Sequence, residues 1–233
     1  MKARFTHLSI ALALVSAFQL SPVFAQSAAT PAAATATATP TYADPYKMME
    51  ILADKTFRRI AAEQKTIAKD PEILRTIVNE ELVPYIDSRY ASLYVIGQSL
   101  KIRDISQTDF NNFVGAFERF MVGTYAGVFT MYRDQKVIIE PAQKIDPKKK
   151  VIIIKTRVID PGKPDIKIEF KLRRGKDDNW LVYDMVAEGI SLLDSKRSEL
   201  GPMIRQQGLP AVSSWLDEKA KAPIQAPEKK KNA

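Results

Sequence analysis

Apolar residues recur at helical spacing from residue 44 to about residue 129, and they alternate with polar residues from about residue 136. This change of period predicts helices followed by strands. Asp44 before Pro45 predicts the start of the first helix, because aspartate caps helices and proline fits their first position. Asp70-Pro71 predicts a second start. Pro84 is expected to split the second helix.

The third predicted helix is the most apolar segment of the chain. Ser106 and Asp109 resemble a capping box at its start. Gly115, Gly123 and Gly127 lie inside it, and each glycine costs a helix about 1 kcal/mol relative to alanine. Close contact with neighbouring backbone is expected to offset this cost; room for a bound guest is the alternative.

Four strands follow, joined by short turns. They are predicted at Val137 to Glu140, Val151 to Asp160, Ile166 to Arg173 and from Asn179 up to Gly189. Short connections favour an antiparallel meander. The sequence therefore predicts an α+β fold in which helices pack on one face of a strongly twisted, four-stranded antiparallel sheet.

The period returns to helical after Gly189. Ser191 is the predicted N-cap of this helix. Gly201-Pro202 is expected to break it and Gly208 to end it, and Pro210 is expected to start a last helix.

The two ends of the chain predict export and tails. Residues 1–25 combine Lys2 and Arg4 with a short apolar run and a small-residue cleavage site at Ala25, which is the pattern of a signal peptide. Residues 26–43 form a leader rich in alanine and threonine, and residues 223–233 form a lysine-rich tail; both compositions predict disorder. Residues 44–222 are predicted to form one domain.

The residue types that are missing limit the chemistry. The chain has no cysteine and a single histidine, His7, which lies in the predicted signal. Catalysis by Ser-His-Asp or Cys-His groups and common zinc sites are therefore excluded from the mature chain. No cofactor or metal is expected. The net charge is +8, and export argues against nucleic acid as the partner.

The apolar faces of the predicted helices and strands predict either a filled core or a cavity, because periodicity does not distinguish them. The candidate cavity walls are Leu93, Tyr94, Phe117, Met121, Tyr125, Val128, Ile154, Val158, Ile168, Phe170, Tyr183, Met185 and, at the mouth, Ile190.

Three segments, in order and at their spacings, resemble the MlaC family of periplasmic phospholipid-binding proteins. They are Tyr183-Asp-Met-Val-Ala-Glu-Gly-Ile-Ser191, then Asp44-Pro-Tyr-Lys-Met-Met49, and the motifs between Leu74 and Gln98. The likeness runs from about Pro45 to Leu209. It favours the cavity over the filled core.

The resemblance implies a cone-shaped fold similar to nuclear transport factor, with acyl tails inside and the headgroup outside. It implies a monomeric carrier of phospholipid between the outer and inner membranes that maintains outer-membrane lipid asymmetry. It also implies two partners, an outer-membrane lipoprotein–porin complex and an inner-membrane ABC transporter complex. No enzymatic reaction is expected.

Two other functions stay open from the residues alone. One is a small-molecule enzyme that uses Asp184 as a general base, although a structural Asp184 paired with Arg197 or a backbone amide is favoured. The other is a periplasmic protein-binding or chaperone module. Glu80 and Glu81 are predicted to be solvated.

Overall fold

Six α-helices and five strands make up the part of the chain that the computed structural model describes, which is residues 43–225 except 134 and 161. The helices are α1 Pro45–Ala62, α2 Gln64–Ile67, α3 Ile73–Glu81, α4 Ser88–Ile96, α5 Gln107–Phe129 and α6 Leu192–Ala220. The strands are β1 Lys136–Ile139, β2 Val151–Ile159, β3 Ile166–Arg174, β4 Trp180–Ala187 and β5 Ile190–Ser191. The predicted signal peptide, nearly all of the leader and the last eight residues lie outside this part.

The predicted helix starts are confirmed at α1 and shifted at α3. The Asp44 carboxylate accepts the N–H of Tyr46 at 2.9 Å and caps α1. The helix after Asp70-Pro71 begins only at Ile73, because Asp70 uses its carboxylate to accept the N–H of Glu72 in a turn. The start predicted from the Asp70-Pro71 signal thus lies two residues before the observed start of α3.

Pro84 splits the second predicted helix, as expected. It lies in a 3₁₀ turn at Val83–Tyr85, and α4 starts again behind the capping carboxylate of Asp87. The intervening residue Ile86 forms a parallel bridge with Val182 of β4. The split therefore brings the chain between α3 and α4 against the sheet.

Glu81 is buried, so the prediction that it is solvated was wrong. Its carboxylate pairs with Lys55 at 2.6 Å and with Arg59 at 2.7 Å, and both partners lie on α1. Burial acts to raise the pKa of Glu81, but the hydrogen bonds and charges of these two cations outweigh burial and hold the pKa below its ordinary value. The paired charges join α1 to α3.

The cap and one of the glycines of α5, Gly127, have the expected roles. The N–H of Asp109 donates to the Ser106 hydroxyl at 3.0 Å. A Cβ at Gly123 would lie 3.0 Å from the Arg75 guanidinium, and one at Gly127 would lie 3.0 Å from the backbone oxygen of Gln225. Close approach of neighbouring backbone therefore accounts for Gly127, whereas Gly123 meets the end of the Arg75 side chain.

The sheet is antiparallel with the order β1-β2-β3-β4-β5, which is one strand more than predicted. The additional strand β5 pairs Ile190 with Ala187 and Ser191 with Val186. Glu188 and Gly189 make the tight turn between β4 and β5, with φ values of 49° and 81°. The α+β class is confirmed.

One sheet face is apolar along its length except at Thr156. Cross-strand pairs place two inner rows, Ile154–Phe170–Met185 and Ile152–Leu172–Val182, on this face. Two further rows extend this face beyond the inner rows. They are Thr156–Ile168–Ala187–Ile190 and Val158–Ile166. Helix α1 covers the inner rows with Tyr46, Met48, Met49 and Leu52. We call the two outer rows the outer apolar rows.

Helix α6 runs through Gly201-Pro202, so the predicted break there was wrong. Pro202 removes one helical donor, but Leu200 and Ile204 on either side are fully buried and hold the helix in place. The change of direction occurs at Gly208, with φ 79° and ψ 166°. Glycine adopts this conformation without a steric penalty.

Three apolar clusters form the core. The first joins α4, α5 and α6, the second joins α1, α3 and α5, and the third joins α1 to the sheet. Ile224 packs in the second cluster, two residues beyond the predicted end of the domain. No helix within residues 43–225 is both long and apolar enough to cross a bilayer.

Candidate functional site

A small cavity lies where the helical clusters meet β4. Its volume is about 30 Å³, which is room for about one water molecule. Its walls are Val83, Ile86, Ser88, Ala91, Phe117, Glu118, Met121, Val122, Tyr125, Tyr183 and Leu193.

Four of the sequence-predicted site residues line this cavity together. They are Phe117, Met121 and Tyr125 from α5 and Tyr183 from β4. Tyr183 is the additional residue at an irregularity in the β3–β4 ladder, since Lys171 pairs with Asp184 and the next residue of β3 pairs with Val182. It also contacts the Tyr90 ring edge-on, with 5.0 Å between ring centroids. The irregularity thus fixes Tyr183 against the helices.

Two further candidates, both on α4, lie beside the cavity and do not line it. Leu93 and Tyr94 pack against the first cluster without lining the cavity. The Tyr94 hydroxyl donates to Asp194 at 2.7 Å. This hydrogen bond, together with burial, raises the pKa of Tyr94. Tyr94 therefore joins α4 to the first turn of α6.

The sheet candidates lie on the apolar sheet face, outside the cavity. Ile154 and Phe170 pack in the cluster beneath α1. Val158, Ile168 and Met185 are half-buried. Separate from these, Val128 is 43% exposed and Ile190 is 66% exposed. The structure therefore divides most of the predicted set between a cavity and a sheet face, and places Leu93, Tyr94 and Val128 outside both.

Several cavity residues were missed because the signal for them is not local. Val83, Ile86 and Ser88 come from the segment around Pro84, which the N–H of Asp87 attaches to the Val182 carbonyl at 2.8 Å. Proline predicted the break but not where the broken chain would go. Leu193 lines the wall from the first turn of α6.

Two phenols provide polar edges to the cavity. Burial raises the pKa of Tyr125, and the negative charge of Asp184 raises it further. Burial also raises the pKa of Tyr183. Both phenols are therefore neutral hydrogen-bonding groups at physiological pH. Their neutral rings suit an apolar guest.

Asp184 is a buried structural residue, only 5% exposed. One carboxylate oxygen accepts hydrogen bonds from Lys171 at 2.9 Å and from the Ser191 hydroxyl at 2.7 Å. The other accepts the N–H of Leu193 at 3.1 Å. The predicted backbone-amide partner is therefore confirmed.

Arg197, the other partner considered for Asp184, does not take this role. The Arg197 guanidinium lies over the Tyr94 ring instead, 5.6 Å from its centroid. Lys171 is opposite Asp184 in the ladder and takes the place of the arginine. Hydrogen bonding to Asp184 raises the pKa of Lys171 although burial opposes it.

The fold and site together define an α+β domain with an apolar interior between helices and sheet. No cluster of three or more potential metal-ligating His, Cys, Asp or Glu side chains forms within the described part of the chain. Residues 50–218 match the family model described as MlaC protein. The chain belongs to the MlaC family.

A curated relative supports this assignment, and a solved structure shares the fold. The chain is 34% identical over 182 residues to the intermembrane phospholipid transport system binding protein MlaC of Haemophilus influenzae, covering 77% of this chain and 84% of the relative. It also resembles the phospholipid-binding protein of Ralstonia solanacearum solved in complex with a phospholipid. That match has a TM-score of 0.66 and 17% identity, and covers 76% of this chain and 97% of the other. At this identity the second match shows a shared fold.

Proposed function

We propose that this protein is a soluble periplasmic carrier that binds phospholipid by its acyl chains and carries it between the outer and inner membranes. Membership of the MlaC family supports this proposal, as do the names of the relatives. The carrier maintains outer-membrane lipid asymmetry, works as a monomer and has no reaction of its own. The sequence-predicted signal peptide would deliver it to the periplasm.

The physical task of such a carrier is to cover acyl chains. Moving one buried methylene into water costs about 0.8 kcal/mol. Two acyl chains therefore meet a barrier on the order of 20 kcal/mol if they cross water unprotected. A carrier lowers this barrier by covering both chains while the polar headgroup stays in water.

The cavity alone is too small for this task. Its volume of about 30 Å³ is an order of magnitude below the roughly 300–1,000 Å³ of ordinary ligand sites. Acyl chains therefore require the walls to separate or require a second apolar surface.

The observation that carries the proposal is the apolar sheet face that extends beyond α1. Its outer apolar rows end in Ile166 and Ile190, which are exposed although both are aliphatic. Contiguous exposed apolar patches are typical of ligand-binding grooves and interaction sites. We place the acyl chains on these rows, with Ile190 at the entrance.

Mass spectrometry of organic extracts tests the carrier proposal. Full-length protein purified from its native host and from a heterologous host should contain phospholipid in stoichiometric amount. Protein from both hosts that contains no phospholipid would overturn the proposal. An exposed apolar face would then indicate a protein-binding module.

The partners follow from the same proposal. We infer docking to an outer-membrane lipoprotein–porin complex and to an inner-membrane ABC transporter complex, the latter supplying direction through ATP. The enzyme alternative receives no support from Asp184, since both of its carboxylate oxygens are occupied by hydrogen bonds within the protein.

A further inference from the structure

Strand β2 is paired along only part of its length on the side of β1. Strand β1 has four residues, and they pair with residues 156–159 of β2. One further bond joins the Glu140 N–H to the Lys155 carbonyl at 2.9 Å. The chain from 140 to 150 then contains no strand. Residues 151–154 thus continue along β3 with a free edge on their other side.

The hydrogen-bond alternation identifies the groups on this edge. The Arg174 N–H donates to the Lys150 carbonyl at 2.9 Å, so that pair is a hydrogen-bonded pair of the antiparallel ladder. Such pairs alternate along two antiparallel strands. The backbone groups of Ile152 and Ile154 therefore form hydrogen bonds with β3. Val151 and Ile153 direct their N–H and C=O groups away from β3.

No partner for these four backbone groups is found within the described part of the chain. Val151 is 46% exposed and Ile153 is 47% exposed. Both lie on the sheet face opposite the one that α1 covers, because their neighbours Ile152 and Ile154 face α1. An exposed edge with aliphatic side chains is a template for another strand.

The charge around this edge selects the strand that fits. Residues 144–155 contain five lysines and one acidic residue, Asp146. Lys148, Lys149 and Lys150, just before the edge, are all exposed, and so is Lys155 just after it. An approaching chain that carries carboxylates is attracted by these lysines. A basic or neutral chain lacks this attraction.

We propose that residues 151–154 form a docking edge for an extended acidic segment of a partner protein, which adds to the sheet as a strand beside β2. Backbone hydrogen bonds to Val151 and Ile153 supply the attachment, and the flanking lysines supply the selectivity. The edge is short, so the contact is weak and reversible. A weak contact suits a protein that must leave its partner after each encounter.

A second copy of this chain fits the edge poorly. Antiparallel pairing centred on Ile152 would place Lys149 of one copy beside Lys155 of the other. Like charges placed opposite each other oppose such pairing. The charges therefore favour a different, acidic partner over self-association.

Amide hydrogen exchange measured by NMR on the full chain tests this inference directly. The probes are short peptides in which valine alternates with glutamate. Each sequence is also tested in reverse order, so that parallel and antiparallel pairing with β2 are both covered. The controls are the same peptides with every backbone amide methylated, which keeps the charge and removes the backbone donors from both edges of the peptide. We expect saturable binding of the unmodified peptides only. That binding should slow exchange of the Val151 and Ile153 amides by about tenfold or more.

A matched pair of variants separates the backbone from the side chain. Ile153→Pro removes only a donor that faces away from β3, so the sheet should survive, as edge strands tolerate proline at such positions. Peptide affinity should fall by about tenfold. Ile153→Ala keeps the donor and should keep the affinity within about threefold. Thermal unfolding of both variants confirms that they are folded.

Several outcomes would overturn the inference. One is equal binding of methylated and unmodified peptides, and another is no saturable binding at millimolar concentration. Protection that rises with protein concentration and needs no peptide would assign the edge to a second copy. Protection caused by anionic vesicles but not by peptide would assign it to a membrane surface. None of these outcomes depends on whether the protein carries lipid.

Discussion

The carboxylate of Asp184, in the sheet, accepts the backbone N–H of Leu193, in the first turn of α6, at 3.1 Å. Leu193 lines the cavity. A buried charge on β4 therefore holds one wall of the cavity in place, with Lys171 balancing that charge. The most enzyme-like residue in the sequence thus shapes the cavity through its hydrogen bonds.

Replacing Asp184 by asparagine should destabilise the protein by about 2 kcal/mol. The amide can still accept from Leu193, but the charge that balances Lys171 is lost. Urea unfolding monitored by circular dichroism measures the change. Glu169→Gln is the control, since Glu169 forms only a long contact of 4.0 Å with the exposed Lys155. Glu169→Gln should lower the free energy of unfolding by no more than about 0.5 kcal/mol. Equal losses of stability in the two variants would contradict the role of Asp184.

Ile190→Glu should remove bound phospholipid while leaving the fold intact. Ile190 is two-thirds exposed, so the free energy of unfolding should change by less than about 0.5 kcal/mol. A carboxylate in the outer apolar rows opposes burial of acyl chains. Lipid content per protein, measured by mass spectrometry, should fall severalfold.

Ile153→Glu is the matched control for that experiment. It places the same charge at an exposed isoleucine on the opposite sheet face. Its lipid content should equal that of the unmodified protein. If Ile190→Glu retained its full lipid load as well, the acyl chains would lie elsewhere.

The contribution of Glu81 to stability should depend on pH. Its folded pKa lies below the ordinary value of 4.5, so the ionised carboxylate stabilises the fold above that value. This contribution disappears as the pH falls through the lower folded pKa. At about pH 7, Glu81→Gln should cost about 1–2 kcal/mol, and this cost should shrink as the pH falls through the lowered folded pKa of Glu81.

Denaturant unfolding at several pH values measures this difference. Glu80→Gln is the control, because Glu80 also contacts Arg59 at 2.6 Å but is mostly exposed. Glu80→Gln should therefore destabilise the protein less than Glu81→Gln at neutral pH, and its cost should change less as the pH falls. A cost for Glu81→Gln that stays constant from neutral to acidic pH would refute the proposed role of the paired charge.

Alanine at Gly115 and at Gly127 should have different effects although both lie in α5. At Gly115 the nearest atom to a new Cβ is the mobile end of Arg119, at 3.1 Å. Helix propensity should therefore stabilise this variant by up to about 1 kcal/mol. At Gly127 the new Cβ would press on the backbone of Gln225, so no gain in stability is expected.

Amide hydrogen exchange at Ile224 directly measures whether Gly127→Ala displaces the C-terminal segment. The Ile224 N–H donates to Glu72 at 2.8 Å and should exchange faster in this variant than in Gly115→Ala. Equal stabilisation by both alanines, with an unchanged Ile224 amide, would show that the segment does not press on α5.

The secondary structure could be predicted from the sequence because its signals are local. Asp44 and Ser106 cap helices through atoms three residues away or fewer. Pro84 breaks a helix by removing its own donor, and strict alternation marks β3. Errors arose where packing opposed a local preference. At Pro202, buried neighbours hold the helix together in spite of the proline.

The cavity could be predicted only in part, because periodicity identifies buried faces but not which of them meet. Phe117 and Tyr183 were found on such faces. The irregularity that fixes Tyr183 depends on strand pairing, and Val83 reached the wall only through contacts made by the broken helix. Leu193 depends on the hydrogen bond from Asp184.

By itself, the sequence determined the element types, the α+β class and the likeness to the MlaC family, since capping, periodicity and motifs involve residues near each other in the chain. Tertiary structure decided the fifth strand, the paired partners of Glu81 and Asp184, and the free edge at Val151 and Ile153. Each of these depends on register or burial between segments far apart in the chain. Many small contacts set that register jointly, and no single motif encodes it.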